Sequence, residues 1–143
     1  MINAEEIFEQ LQAGIFDDFE EALYPMYDFM SKDIVRQRKR LGGNMAIAQA
    51  VFSRSQRDFL RKAVGADLVF IVLNLTKDCQ IKRVKNRHVD SLGEEFINIL
   101  VKYAEQCQPA AIDEENAYNV NITEEMTPKD VMEKIIEIVQ KLQ

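Results

Sequence analysis

The sequence has few of the residues on which many kinds of site depend. Its 143 residues include two cysteines and one histidine, and no tryptophan. Cys79 and Cys107 are too few for a disulfide framework, and neither has a metal-site spacing with His88. We therefore expect no metal site. We expect both cysteines to be buried or unreactive free thiols. Free thiols are typical of a reducing compartment, which predicts a cytoplasmic location.

Long apolar stretches are also missing. No run approaches the roughly 18 apolar residues that a membrane-spanning helix needs, and the acidic start MINAEEIFEQ has no signal-peptide character. The net charge of −6 argues against nucleic acid or an anionic membrane as a partner, because both require a broad positive field. We therefore expect neither partner.

The basic residues that are present lie in three groups. These groups are Arg36 to Arg40, Arg54 to Lys62 and Lys82 to Arg87, whereas the acids gather toward the two ends of the chain. This segregation fits a local anion site in an acidic protein. A clustered run of basic residues is, however, more often a helix face that only contacts solvent.

Three segments have the pattern of strands. LVFIVLN at Leu68 to Asn74 is uncharged and rich in β-branched residues, which is typical of a parallel strand covered on both faces. MAIAQAVF at Met45 to Phe52 is predicted to be a second buried strand, joined to the first by one helix in a βαβ unit. AYNVNIT, from Ala117 to Thr123, alternates in polarity and is predicted to be a third, less buried strand.

Helices with recognisable ends surround these strands. A short first helix is predicted from Asn3 to Gly14, and a longer one begins at Asp17 or Asp18, with Gly42 or Gly43 supplying its left-handed end. The last helix is predicted to begin at Thr127, which is followed by Pro128. Further helices are predicted to start at Ser53 or Ser55, at Thr76 and near Leu92.

No repeat, linker or low-complexity tract divides the sequence. The pattern of strands alternating with helices predicts one α/β domain over residues 1–143, with a short parallel sheet of about three strands flanked by helices. Within it we distinguish a helical region at residues 1–43 and an α/β core at residues 44–143.

The core resembles one family of enzymes. The segment Ala50 to Arg61, AVFSRSQRDFLR, resembles the gluconate kinase motif S-A-L-K-R-S-Y-R-D-x-L-R. The C-terminal stretch ENAYNVNITEEMTPKDVMEKIIEIV is similar to the end of the same kinases, which belong to the P-loop small-molecule kinases. Shikimate and adenylate kinases are more distant. The resemblance covers roughly Asn44 to Gln143, and residues 1–43 look like the substrate-side helices of such kinases.

The resemblance implies roles for four arginines. Arg83 and Arg87 are implied to lie at the lid over the nucleotide phosphates, and Arg54 and Arg57 to face the acceptor or the transferred group. Phosphoryl transfer depends on positive charge around the equatorial oxygens, for which guanidinium groups are suited. The implied cofactors are ATP and magnesium, and the implied reaction transfers the γ-phosphate to a small hydroxylated metabolite.

The chain departs from the family at its main motif. No G-x-x-x-x-G-K-[ST] occurs in the sequence, and the only glycine pair, Gly42 and Gly43, is followed by Asn44 and Met45. Ser53 stands where the family motif has lysine. In these kinases the glycine-rich motif forms a loop whose backbone amides hold the β-phosphate of ATP. Because this chain has no such loop in its sequence, we expect no ATP turnover by this chain alone. The implied fold is an incomplete three-layer P-loop-kinase-like fold that lacks the phosphate-loop strand.

Three functions remain open. The chain is a kinase-like protein that is active only when a phosphate loop is supplied, a binding module for a small phosphorylated ligand or nucleotide, or a structural or regulatory protein that associates with itself. A sheet without its central strand leaves edges that a second copy would cover, so a homo-oligomer, most simply a dimer, is the expected partner.

Overall fold

Helices and strands alternate along the chain. The computed structural model describes Gly14, residues 19–88 and residues 93–143, without the side chains of residues 19, 20, 87 and 88. Its elements are α1 (Phe19–Leu41), α2 (Arg54–Val64), β1 (Phe70–Asn74), α3 (Lys77–His88), α4 (Glu94–Glu105), β2 (Ala117–Asn121) and α5 (Pro128–Lys141). This order confirms the predicted α/β class. The predicted first helix lies outside the described residues, apart from Gly14.

The chain divides into two compact units. We name Met1–Val51 with Ser55–Leu68 the helical unit, and Phe52–Arg54 with Val69–Gln143 the sheet unit. The expectation of one domain with a boundary between residues 43 and 44 remains a prediction. None of the helices that the described residues form has the length and apolarity that crossing a bilayer requires.

In the helical unit, α1 buries one face. Leu23, Met26 and Tyr27 are buried, as their spacing of three and four predicts. Pro25 lies inside the helix. The helix ends as predicted at glycine, because Gly42 has φ of 58° and its N–H donates to the carbonyl of Arg38 at 3.0 Å.

The segment Met45 to Phe52 is not a strand, so this prediction was wrong. It has no regular secondary structure, and residues 45–50 are exposed. Tyr27 holds it against α1, since the Tyr27 hydroxyl donates to the carbonyl of Ala50 at 2.7 Å. Apolar composition alone does not make a parallel strand, which needs neighbours that take up its backbone groups. The predicted βαβ unit through α2 is therefore also absent.

The sheet unit contains the two other predicted strands. β1 and β2 pair in parallel, with Phe70 opposite Ala117 and Asn74 opposite Asn121. Among the described residues, no further strand joins this sheet. The predicted sheet of about three strands is therefore a two-stranded one in these residues.

The hydrogen bonds of the sheet show which backbone N–H and carbonyl groups of β1 bond to β2. The N–H of Phe70 donates to Asn116 at 2.8 Å, and the carbonyl of Asn74 accepts from Ile122 at 2.7 Å. In a parallel ladder alternate residues bond to the same neighbour. Phe70, Val72 and Asn74 therefore face β2. The backbone groups of Ile71 and Leu73 point to the opposite side, which we name the outer edge of β1.

The connection from β1 to β2 consists of two helices that pack together. Thr76 begins α3 as predicted, because its hydroxyl accepts a hydrogen bond from the N–H of Cys79 at 3.3 Å. In α4, Phe96 and Tyr103 are buried. Two parallel strands require a crossover of this kind, since a tight turn cannot join them.

The last helix begins as the sequence predicts. Thr127 and Asp130 form a reciprocal capping box, and Pro128 occupies the first turn. α5 contacts β2, yet none of its residues is fully buried. Met132, Ile136 and Val139 form an exposed apolar stripe along it.

Candidate functional site

Polar residues gather at the carboxyl ends of β1 and β2. Both strands end in the same pattern, Asn-Leu-Thr from Asn74 and Asn-Ile-Thr from Asn121, and the register places these two asparagines opposite each other. Ligands of open parallel sheets bind beyond the carboxyl ends of the strands. This edge is therefore the candidate site that the fold of the sheet unit indicates.

Three asparagines connect their side chains at this edge, and we name them the asparagine cluster. Asn74 Nδ2 donates to Asn119 Oδ1 at 2.8 Å and lies 3.4 Å from Asn121 Oδ1. All three residues belong to the same face of the sheet, because they occupy alternate, paired positions. The cluster offers neutral donors and acceptors and carries no charge.

Asn119 also fixes the loop that precedes β2. Its Oδ1 accepts from the N–H of Ala110 at 2.8 Å, and its Nδ2 donates to the carbonyl of Ala110 at 2.8 Å. A side-chain amide thus satisfies both backbone groups of a buried residue, as a neighbouring strand would. This side chain therefore attaches the loop directly to β2.

Arg54 is attached to the same loop. Its Nη1 lies 3.0 Å and 3.1 Å from the two carboxylate oxygens of Asp113, and its backbone N–H donates to Gln108 Oε1 at 3.0 Å. The side chain of Arg54 is 42% exposed and that of Asp113 is 76% exposed. A partly exposed guanidinium held by a carboxylate remains within reach of an anion that displaces the acid.

Arg57 has a different environment. It lies one turn after Arg54 on α2, and with 1% relative exposure it is among the most buried side chains of the described residues. Buried charges are kept where neighbouring groups compensate them. The observed burial gives Arg57 a structural place in the helical unit, and its implied contact with a substrate remains a prediction.

The two arginines implied to hold nucleotide phosphates lie on α3. Arg83 is exposed in the middle of the helix. The backbone of Arg87 continues α3, and its side chain lies outside the described residues. Of the four implied arginines, the structure therefore shows one paired at the surface, one buried and one exposed.

A second charged surface lies on α1. A groove of about 560 Å³ is lined by residues that include Asp28, Lys32, Val35, Arg36, Lys39 and Ala63. Lys32 Nζ is 2.6 Å from Asp28, and Arg36 forms an ion pair with Asp33. Its basic groups are thus largely matched by acids on the same helix, which is typical of a solvated helix face.

Metal ligands do not gather in the described residues. Within residues 19–88 and 93–143, no group of three or more His, Cys, Asp or Glu side chains is close enough to hold a metal ion. Cys79 and Cys107 are both free, and burial raises the pKa of the Cys107 thiol. This thiol is thus less readily ionised than an ordinary cysteine.

Sequence reasoning did not single out the asparagine cluster. The signal was present in the repeated Asn-x-Thr at the ends of two predicted strands, and in the alternation that puts Asn119 and Asn121 on one face. The cluster could not be recognised without the strand register, because Asn74 and Asn119 come together only through the pairing of β1 with β2.

Comparison with known proteins identifies no relative. No protein-family model, no curated protein and no solved structure matches the chain.

Proposed function

We propose that the chain is the part of a gluconate-kinase-like P-loop fold that follows the phosphate loop. It would transfer the γ-phosphate of ATP to a small hydroxylated metabolite only when a strand with its phosphate loop is supplied. The chain by itself does not turn over ATP, because no glycine-rich loop with lysine is present in the sequence. The reducing cytoplasm is the location that goes with this function.

One observation carries the proposal: β1 and β2 pair in parallel while the outer edge of β1 has no strand beside it in the described residues. In the kinases that the sequence resembles, the phosphate-loop strand lies beside the strand that corresponds to β1. The backbone groups of Ile71 and Leu73 point toward that place. The failure of Met45 to Phe52 to form a strand agrees with a missing centre, because that strand would pair on its far side.

The proposed ligand contacts follow from the carboxyl edge of the sheet. The asparagine cluster supplies neutral amides, which suit the hydrogen-bonding edge of a base. Arg83, which is exposed on α3, and Arg87, one turn further along the same helix, supply the phosphate contacts that the resemblance implies. Arg54, which Asp113 already holds, would meet the transferred group by exchanging that carboxylate for a phosphate.

A chimera tests this function. A strand, glycine-rich loop and helix taken from a gluconate kinase are fused before the chain, and binding of ATP with magnesium is followed by calorimetry and by product formation. We expect binding by the chimera and none by the unfused chain. A chimera that folds but binds no ATP would contradict the proposal.

A pair of matched variants locates the phosphates in the same chimera. Arg83→Ala is expected to weaken ATP binding by at least about tenfold, in keeping with a lost charge-assisted hydrogen bond. Lys82→Ala removes the neighbouring exposed charge and is expected to change binding less than about twofold. Equal losses in both variants would indicate a general effect of charge instead of a phosphate contact.

The second candidate function is a non-catalytic one. The chain would bind a phosphorylated small molecule or nucleotide, or only associate with itself. The missing glycine-rich loop favours it. A thermal shift of the unfused chain with ATP or inorganic phosphate that Arg83→Ala abolishes would support the binding module over the kinase.

A further inference from the structure

We infer that Asn74 selects the base of the nucleotide, by presenting a fixed side-chain oxygen to the exocyclic amino group of adenine. The inference rests on the proposed function, in which the asparagine cluster meets a base beyond the carboxyl ends of the strands. It adds a preference that the proposed function leaves open, namely for an amino purine over an oxo purine. All the residues that carry it belong to the sheet unit.

The chain of hydrogen bonds that orients Asn74 begins at the backbone of Ala110. The N–H of Ala110 donates to Asn119 Oδ1, and the carbonyl of Ala110 accepts from Asn119 Nδ2, each at 2.8 Å. A backbone N–H can only donate and a carbonyl can only accept. Turning the Asn119 amide over would set donor against donor and acceptor against acceptor, so its oxygen has one position.

Asn119 in turn orients the amide of Asn74. Asn119 Oδ1 can only accept, and the atom of Asn74 that lies 2.8 Å from it is the amide nitrogen. The same nitrogen lies 3.4 Å from Asn121 Oδ1, so both of its hydrogens have acceptors on β2. A turned Asn74 would face these two oxygens with its own oxygen and would lose both bonds. The amide of Asn74 is therefore fixed in one orientation.

This orientation leaves the oxygen of Asn74 open as an acceptor. Within residues 19–88 and 93–143, Asn74 Oδ1 accepts no hydrogen bond. Asn74 is the last residue of β1 and is half-buried, and its neighbours Asn119 and Asn121 are exposed. A ligand that covers this oxygen has to supply a donor, because a covered acceptor without a partner is costly.

Purine bases differ in the group that such an acceptor would meet. Adenine carries an exocyclic amino group, which donates, whereas guanine and hypoxanthine carry an exocyclic oxygen, which accepts. Against a fixed oxygen the amino group forms a hydrogen bond, and the exocyclic oxygen meets a second acceptor. An asparagine that could turn over would accommodate both bases. The bonds of Asn74 to Asn119 and Asn121 remove this freedom, which makes the site selective.

Two nucleotides with different bases test the inference without a mutation. ATP and inosine triphosphate (ITP) have the same ribose and triphosphate, so a difference in affinity for the chimera reports on the base. Calorimetry is expected to give a Kd for ATP at least about tenfold below that for ITP. Equal affinities would overturn the inference and leave the proposed function standing. A folded chimera that binds neither nucleotide would contradict the proposed function, and the inference with it.

A pair of variants of the chimera assigns the preference to Asn74. Asn74→Leu keeps the size of the side chain and removes the acceptor, so the Kd values for ATP and ITP are expected to come within about twofold of each other. Thr123→Ala removes a hydroxyl just after β2 and is expected to keep the full preference. Circular dichroism verifies that each variant is folded. A preference that survives Asn74→Leu, or that Thr123→Ala removes equally, would overturn the role of Asn74.

Asn119→Ala tests the orientation on which the selectivity depends. It leaves the side chain of Asn74 in place but removes its closer acceptor, so Asn74 becomes freer to turn over. ITP is then expected to gain affinity relative to ATP, which narrows the difference in Kd to less than about threefold. An unchanged preference in a folded Asn119→Ala chimera would show that the hydrogen bonds do not fix Asn74, and would overturn the inference.

Discussion

Asn119 closes both hydrogen bonds of its side-chain amide on the backbone of Ala110, each at 2.8 Å. One side chain thereby attaches the loop before β2 to the middle of that strand. The same Oδ1 accepts from Asn74, so the loop and both strands share one polar connection. We therefore expect the stability of this connection to depend on Asn119 more than on Asn121.

Replacing Asn119 by alanine tests this dependence. The N–H and carbonyl of the buried Ala110 would lose their partner, so we expect the free energy of unfolding to fall by about 1–3 kcal/mol. Asn121→Ala is the control, because Asn121 Oδ1 lies 3.4 Å from Asn74 Nδ2, a long hydrogen bond, and the substitution is expected to cost less than about 0.5 kcal/mol. Urea unfolding followed by circular dichroism measures both. Equal costs would contradict the role of Asn119.

The capping box of α5 makes a prediction about pH. Asp130 Oδ2 accepts hydrogen bonds from the backbone N–H of Thr127 at 2.7 Å and from its hydroxyl at 2.8 Å. These bonds, the backbone one first, hold the pKa of the Asp130 carboxyl below its ordinary value of 3.8. Because the folded-state pKa is the lower one, the stabilisation is complete above the unfolded-state pKa of about 4 and is lost as pH falls through the folded-state pKa. α5 is thus expected to loosen on acidification.

Titration of the Asp130 carboxyl by NMR measures this pKa directly. Thr127→Val keeps the backbone N–H and removes the hydroxyl, whereas Thr127→Pro removes both. Because the backbone bond is the larger cause, we expect Thr127→Val to raise the pKa of Asp130 by less than half of the rise in Thr127→Pro. A rise in Thr127→Val that accounts for most of the rise in Thr127→Pro would contradict this assignment.

The ion pair between Arg54 and Asp113 is expected to contribute little to stability. Both side chains are substantially exposed, and exposed pairs contribute about 0–1 kcal/mol. A double-mutant cycle with Arg54→Ala and Asp113→Ala measures the coupling, which should shrink further in 1 M salt. A coupling of several kcal/mol that salt does not change would show that the pair is buried in solution.

Arg57 is expected to behave in the opposite way. Its buried side chain fills space in the helical unit, so Arg57→Ala is predicted to lower the free energy of unfolding by about 3–5 kcal/mol. Arg54→Ala on the same helix serves as the control and should cost about 1 kcal/mol or less. A small cost for Arg57→Ala would mean that the side chain is free to meet a substrate, as the resemblance to gluconate kinases implies.

Local signals in the sequence were enough for several elements. The uncharged β-branched run predicted β1, and Thr127 followed by Pro128 predicted the start of α5, because strand propensity and helix capping depend on a few consecutive residues. Gly42 likewise ends α1 through its own φ angle. In each case the residues that decide the structure lie within one turn or one strand.

Features that depend on distant residues were not predictable in this way. Met45 to Phe52 has the composition of a buried strand, but composition does not supply the neighbouring backbone that a strand needs. Asp113 is 59 positions from Arg54, and no local pattern indicates that pair. The burial of Arg57 was missed for the same reason, because a charged residue on an amphipathic helix is expected at the surface.

Amide hydrogen exchange at β1 tests most directly the claim that its outer edge is open. The sheet register assigns the N–H of Val72 to β2 and those of Ile71 and Leu73 to the outer edge. We predict strong protection at Val72 and fast exchange at Ile71 and Leu73. Equal protection of all three amides would contradict the open edge, and with it the place that the proposed function assigns to the phosphate-loop strand.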